Sequence, residues 1–277
     1  MLLRWITSFL NNRSQSVRVG SCISDLSPVI SGVPQGSVLG PILFLIYIND
    51  LVDLFGSNVF VKLFADDAKI YINIVDITSI NTLQDALFSL SQWATLWQLK
   101  ISINKCFVLH LGRNNLSYDY AIDGVTLPNV REVRDLGVII DNRLSFSAHY
   151  ACIVAKAHQR ACMINRCFKS KEPHLLFRTY VRPLLEYCSP VWAPVYKCDI
   201  VKLESVQRRF TKKLKGLRHL CYLDRLDYLK AETLESRRLK QDLLTMFKIM
   251  HKFVDINENE LFYLNGLGIT RGHNKIS

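Results

Sequence analysis

Phe64-Ala65-Asp66-Asp67-Ala68 sets two adjacent carboxylates between the apolar runs Val59-Phe60-Val61-Lys62-Leu63 and Ile70-Tyr71-Ile72-Asn73-Ile74. Both flanks are rich in β-branched and aromatic residues, which predicts strand, turn, strand with the acidic pair at the tip. Like charges this close repel unless a cation sits between them, and hard divalent ions such as Mg²⁺ take oxygen ligands of this kind. A solvated acidic turn has the same composition, so the pair alone does not fix a chemistry. A second stretch narrows the choice. Ser31-Gly32-Val33-Pro34-Gln35-Gly36-Ser37-Val38-Leu39-Gly40-Pro41 carries three glycines and two prolines directly before the apolar run Ile42 to Ile48. Glycine allows close backbone approach, and a loop opening into a helix N-terminus presents unpaired N–H groups suited to a phosphate or a base edge.

The loop followed by the acidic turn resembles the reverse transcriptase domain of non-LTR (LINE-type, jockey-like) retrotransposons. Gly32-Val33-Pro34-Gln35-Gly36-Ser37 matches that family's B motif and Phe64-Ala65-Asp66-Asp67 its C motif. The resemblance implies an RNA-directed DNA polymerase that joins a primer 3′-hydroxyl to the α-phosphate of a deoxynucleotide. Its partners would be an RNA template, a DNA primer and deoxynucleotide triphosphates, and its cofactors two Mg²⁺ ions. By the same resemblance Asp66 and Asp67 are the catalytic, metal-holding carboxylates, while Pro34, Gln35 and Gly36 meet the incoming nucleotide and the template base. Trp97-Gln98-Leu99-Lys100-Ile101-Ser102-Ile103-Asn104-Lys105 resembles the D motif and makes Lys105 the lysine that assists proton donation to pyrophosphate. Read from the residues alone, Lys105 is equally an exposed lysine at a strand end. Val133-Arg134-Asp135-Leu136-Gly137-Val138-Ile139-Ile140-Asp141 resembles the primer grip, with Gly137 beside Leu136 letting a nucleic-acid backbone come close. A plain buried strand explains the same apolar residues.

One departure from the family stands out. Its A motif, an aspartate on an earlier palm strand, belongs upstream of Gly32 together with the fingers. Asp25 is the sole acid before the loop, and its surroundings, Ser24-Asp25-Leu26-Ser27, do not match that motif. Losing one of the carboxylates that bridge two cations costs several orders of magnitude in rate. The expectation is therefore the later part of a polymerase, inactive as an isolated chain. The alternative is a non-catalytic nucleic-acid-binding remnant that uses its basic helices.

Bulk properties fit either reading. The 277 residues are 49% hydrophobic and 21% charged, as in an ordinary globular protein with room for one or two domains. The longest apolar run, Val38 to Ile48, is interrupted by Gly40 and Pro41 and is too short to span a bilayer. Met1-Leu2-Leu3-Arg4-Trp5-Ile6 lacks the features of a signal peptide, so an intracellular protein with no membrane partner is expected. Eight cysteines show neither Cys-x-x-Cys spacing nor matching Cys/His pairs, and read as buried small apolar residues in a reducing compartment. Charge is uneven: residues 1–150 hold 11 Lys+Arg against 12 Asp+Glu, whereas 151–252 hold 22 against 9. That asymmetry predicts a second, nucleic-acid-facing part, with a solvated basic surface as the alternative.

The elements that must position these residues follow in order. Leu2, Leu3, Ile6, Phe9 and Leu10 recur at helical spacing up to Asn11-Asn12. Short strands at 17–19 and 22–23 lead into the Gly-Pro loop, and 42–54 reads as a buried helix. Steps of three and four through Leu83, Leu87, Leu90, Trp93, Ala94 and Trp97 predict a helix over about 80–99 with the tryptophans in the core. Residues 101–109 read as a strand, and Asp123-Gly124 as a two-residue hairpin turn. Helices are expected over 149–168, 175–187, 200–214 and 234–253. Arg208, Arg209, Lys212 and Lys213 line much of one helical face suited to phosphates. The predicted architecture is α+β: residues 1–147 as part of a palm with helices on an antiparallel sheet, 148–253 as a basic, thumb-like helical domain, and 254–277 as a polar tail. Without its first strands, such a palm sheet has an exposed edge.

Overall fold

The computed structural model describes residues 1–113, 115–168 and 173–261. The chain divides into two units of continuous sequence, Met1–Val130 and Arg131–Ser277. Most of the expected polar tail, 262–277, lies outside the described residues; just before it, Glu258–Leu261 form one short helix.

In the first unit, α1 (Leu2–Leu10) ends at Asn11 and the chain reverses at Asn12, whose φ is +57°. β1 (Arg13–Gln15) pairs antiparallel with β4 (Ser27–Val29), outside the small hairpin of β2 (Arg18–Val19) and β3 (Cys22–Ile23). The outer pair was not legible in sequence because Pro28 sits within it. After the Gly-Pro loop come α2 (Leu39–Ile48) and a 3₁₀ turn over Asn49–Leu54. This segment departs from the expected buried helix, since Ile42, Leu45 and Ile46 are 51, 53 and 68% exposed. Phe44, Ile48, Leu51 and Leu54 join the core cluster, and Tyr47 packs edge-on against Trp97 at 5.0 Å.

β5 (Phe60–Phe64) and β6 (Asp67–Tyr71) form the expected hairpin. Alternation sends Leu63 into a cluster with Ile48, Leu51, Trp93 and Ala94, and Ile70 against a second cluster of Ile80, Leu87, Tyr120 and Ile122. α3 (Ile77–Leu96) contributes to both clusters, so it fixes the hairpin along its length. The helix begins where its sequence says it should: Asp76 Oδ1 accepts from the Thr78 and Ser79 hydroxyls at 2.7 and 2.8 Å and from the Ser79 N–H at 2.9 Å. Those bonds, Thr78's first, hold the Asp76 carboxyl down to about 2. The charged cap is therefore complete above the ordinary carboxylate range and lost as pH falls toward 2.

Residues 101–109 are not one strand. Lys105 N–H bonds Ser102 O and Cys106 N–H bonds Ile103 O, both at 2.9 Å, which closes a 3₁₀ turn over Ile103–Lys105 and leaves only β7 (Val108–Leu109) extended. β8 (Ala121–Ile122) and β9 (Val125–Thr126) meet at Asp123-Gly124, with φ of +52° and +76°, the two-residue turn expected. β10 (Asn129–Val130) runs parallel to β7.

The second unit opens with a hairpin, in place of the plain buried strand that was one of the two readings of this segment. β11 (Glu132–Asp135) and β12 (Val138–Asp141) turn at Leu136-Gly137, with φ of +44° and +92°. Val138 and Ile140 pack into the helical core, so the hairpin belongs with the helices and the division falls ahead of the one drawn from charge. Helices α4 (Ser147–Cys167), α5 (Pro173–Leu176), α6 (Arg182–Glu186), α7 (Ser189–Trp192), α8 (Lys197–Lys212), α9 (Tyr222–Tyr228) and α10 (Leu234–Met250) follow. α9 was not anticipated. A π-helical turn, Phe177–Val181, joins α5 to α6 and widens the helix just before Pro183, whose missing N–H would otherwise break it.

The class is α+β, as expected. Among the described residues the strands stay in six two-stranded pairs, five antiparallel and one parallel, rather than one sheet. None of the eight cysteines is buried: three are half-buried and five exposed, which corrects the reading of them as core residues. No helix among the described residues is long and apolar enough to cross a membrane.

The helical core centres on Phe177 stacked on Phe210 at 4.6 Å, with Ala157, Val181, Leu203, Val206 and Leu234 fully buried around them. We expect Phe210→Ala to destabilise the chain by roughly 3–5 kcal/mol in urea unfolding followed by circular dichroism. A loss below about 1 kcal/mol would show that this stack is not the centre of the core.

Candidate active site and basic face

The register of β5 and β6 places the acidic pair. Phe64 pairs with Asp67, so Ala65 and Asp66 alone make the loop, and Ala65 takes φ +50°. Asp66 stands at the apex and Asp67 opens β6; both are exposed. The outward face of the hairpin carries Phe60, Lys62 and Phe64 opposite Tyr71, Lys69 and Asp67. Phe60 and Tyr71 stack there at 5.3 Å.

The Gly-Pro loop is held at both ends. Arg13 reaches back from β1: its Nε donates to Leu10 O at 2.8 Å and its Nη2 to Ser31 O at 3.0 Å and Gly32 O at 2.6 Å. At the far end the Ser37 hydroxyl donates to Pro34 O at 2.7 Å and accepts from Gly40 N–H at 3.0 Å, capping the start of α2. Gly40 has no room for a side chain unless its neighbours shift, because a Cβ would lie 2.9 Å from Ser37 Oγ and 3.0 Å from Pro34 O. Gly36, at φ +80°, makes the turn between them. Gln35 and Gly36 are exposed and Pro34 half-buried.

Loop and acidic turn hang from one cluster. α2 sends Phe44, and β5 sends Leu63, into the packing around Ile48, Leu51, Trp93 and Ala94. Lys105 ends its 3₁₀ turn exposed to solvent, between Cys106 and Ile103, which pack on the neighbouring cluster. Asp66, Asp67, Pro34, Gln35, Gly36 and Lys105 therefore belong to the first unit.

Leu136 and Gly137 belong to the second unit. Their turn rests on Tyr187, whose hydroxyl donates to Leu136 O at 3.0 Å, and a Cβ on Gly137 would sit 3.5 Å from the same ring. At the C-terminal end of α8 the four basic candidates, three on the helix and Lys213 just after it, separate. Arg208 lies over the Tyr222 ring at 4.8 Å. Arg209, Lys212 and Lys213 instead line a cavity of about 600 Å³ with Leu214, Lys215, Gly216 and Arg218. Lys215 and Arg218 were missed because the helical-face argument stopped where the helix stops; the continuing run Lys212-Lys213-Leu214-Lys215-Gly216-Leu217-Arg218 was the available signal.

The acidic pair offers the oxygen donors that a hard divalent ion takes. No group of three His, Cys, Asp or Glu gathers among the described residues, so these two carboxylates do not by themselves complete a two-ion centre.

Comparison with known proteins points one way. Residues 1–140 match the family model described as reverse transcriptase (RNA-dependent DNA polymerase). The chain is 27% identical over 226 residues to the probable RNA-directed DNA polymerase from transposon X-element of Drosophila melanogaster, covering 76% of this chain and 24% of that protein. It is 28% identical over 233 residues to the RNA-directed DNA polymerase from mobile element jockey of Drosophila funebris, covering 78% and 25%. The chain thus spans about a quarter of the length of these relatives. No solved structure matches it significantly.

The contacts at Gly40 generate a test of the loop. Gly40→Ala forces Ser37 and Pro34 apart and is expected to destabilise the first unit by about 1–3 kcal/mol. Amide exchange at Ser37 and Gly40 should quicken; unchanged exchange at both would show that the loop is not set by this contact.

Proposed function

The chain belongs to the reverse transcriptase (RNA-dependent DNA polymerase) family, and from that premise we propose that it supplies the later part of an RNA-directed DNA polymerase of a jockey-like non-LTR retrotransposon. The observation that carries the reading is the exposed Asp66-Asp67 turn, suspended from the same cluster as the Gly-Pro loop. In this reading residues 1–147 are palm and 148–253 thumb-like, the last palm hairpin, β11–β12, being packed on the thumb-like helices, and the substrates are RNA template, DNA primer and deoxynucleotide triphosphates. The ion is Mg²⁺, two in the complete enzyme, with Asp66 and Asp67 among its ligands; bound there, it would supply charge neutralisation at the reacting phosphates.

The chain's own residues do the positioning. Gln35 and Gly36, exposed on a loop clamped by Arg13 and Ser37, present a backbone that a base pair can approach closely. Pro34, by fixing its own φ, narrows the paths the loop can take. Lys105 offers an ammonium proton for the departing pyrophosphate. Leu136-Gly137, stiffened by Tyr187, provides the primer-grip turn. An intracellular site of action follows from the nucleic-acid substrate.

The experiment is primer extension on an RNA template with Mg²⁺, using the full open reading frame that contains this chain. Asp66→Ala and Asp67→Ala are each expected to lower the rate by at least about 10³-fold with template binding retained. Activity within tenfold of the parent would overturn the assignment.

A second reading, a nucleic-acid-binding protein without catalysis, draws on the basic cavity at the end of α8. For the isolated chain we expect salt-dependent RNA binding that survives Asp66→Ala. Lys212→Ala and Lys213→Ala should each lower the log–log salt slope by about 1, and an unchanged slope would remove these lysines from the interface.

A further inference from the structure

The cavity at the end of α8 gathers five cations and, among the described residues, no carboxylate. Among the described residues, Arg209, Lys212, Lys213, Lys215 and Arg218 share its lining with Leu214 and Gly216 only. None of the five forms an ion pair among the described residues. Cations held this way repel one another, and an anion in their midst relieves that repulsion.

The cup is preformed. Leu214 and Leu217 are buried and pull the loop onto the core. Leu214 N–H bonds Thr211 O, Leu217 N–H bonds Leu214 O and Leu220 N–H bonds Leu217 O. From behind, the buried Arg225 donates through Nη1 to Leu220 O at 2.7 Å and through Nε to Thr211 Oγ1 at 3.2 Å. Gly216, at φ +83°, bends the chain so that Lys215 and Arg218 close the cup begun by Arg209, Lys212 and Lys213. Guanidinium and ammonium groups in a fixed concavity favour phosphate oxygens, and a prearranged site loses little freedom on binding.

His158 adds a second observation. It is a half-buried residue of α4, the helix packed along α8. Among the described residues, the charges acting on it are Arg209 and Lys213; none comes from β12, α5, the π-helical turn or α6, which also pack against α4. Burial first, and then those two cations, hold its imidazole below the usual range.

We propose that this cup is a phosphate-binding pocket whose occupancy is linked to protonation of His158. The natural source of the phosphate rests on the nucleic-acid reading given above. A phosphate between Arg209 and Lys213 offsets the charges that oppose the imidazolium, so binding takes up a proton. Affinity is then greatest below the pKa of His158 in the empty protein and least above its pKa in the occupied one.

The test measures binding of inorganic tripolyphosphate, and of an RNA oligonucleotide lacking terminal phosphates, to the full chain by calorimetry between about pH 5.5 and 8. Tripolyphosphate is expected to bind once per chain, several-fold and up to about tenfold tighter at the acid end. His158→Gln should still bind it, with a flatter pH profile; comparing the two proteins at each pH cancels the titration of the ligand itself. The double variant Lys215→Ala/Arg218→Ala should weaken binding at least about tenfold while its circular dichroism stays unchanged. Absence of tripolyphosphate binding, or a His158→Gln profile identical to the parent's, overturns the proposal. Oligonucleotide competition at the pocket makes the phosphodiester backbone its ligand. Tripolyphosphate binding without any oligonucleotide binding keeps the pocket and sinks the nucleic-acid reading.

Discussion

The position of both candidate carboxylates depends on one backbone angle. Ala65 sits at φ +50°, a region that costs an L-residue roughly 1–2 kcal/mol. That conformation lets the chain reverse in two residues and fixes Phe64 opposite Asp67. A slip of one residue would exchange the faces of β5 and β6, withdrawing Leu63 from one cluster and Ile70 from the other. Since α3 packs into both clusters, the unit depends on the register that this turn sets. Strain held by packing on either side is what a site needs if its two charged groups are to stay put while ligands come and go.

The helical unit solves a different problem, joining α8, α9 and α10 around buried polar groups. The Glu204 carboxylate accepts the Leu234 N–H with both oxygens, at 3.2 and 3.0 Å, and the Tyr222 hydroxyl as well. Burial, and then Glu204, push the Tyr222 hydroxyl's pKa far up, so it remains a donor. Gln207 completes the network by donating to Tyr222 and to Glu232 O. The acid thus caps the α10 N-terminus from inside the core, where its negative charge meets the positive end of the helix dipole. Arg208 stacks on Tyr222 from outside, which is why it turns away from the other cations of α8.

Much of this was legible in the residues, and what was not has identifiable causes. The acidic hairpin, α3 with its tryptophan core, the Asp123-Gly124 turn and the long helices follow from periodicity and turn chemistry. Three readings failed where tertiary context overruled local pattern. α2 is apolar all round yet open to solvent on one side, because hydropathy records composition and not the presence of a neighbour. The 3₁₀ turn at Ile103–Lys105 hides in a sequence that alternates like a strand. Leu136 adopts a left-handed φ that nothing in a leucine announces, so the turn at Leu136-Gly137 could not be told from a plain buried strand. On the site, motif residues were found by type, whereas Lys215, Arg218, His158 and Tyr187 became visible only once distant segments were folded together.

The division of the chain into two uninterrupted stretches also has a consequence in time. Among the described residues, the two clusters that hold the acidic turn and the Gly-Pro loop are built from residues 44–127 alone. On a ribosome, which delivers the N-terminal part first, the acidic turn and its clamped loop can settle before the basic helices have been made. Order of synthesis thus lets the end of the chain that carries the carboxylates form its packing before the end that carries the positive charge exists.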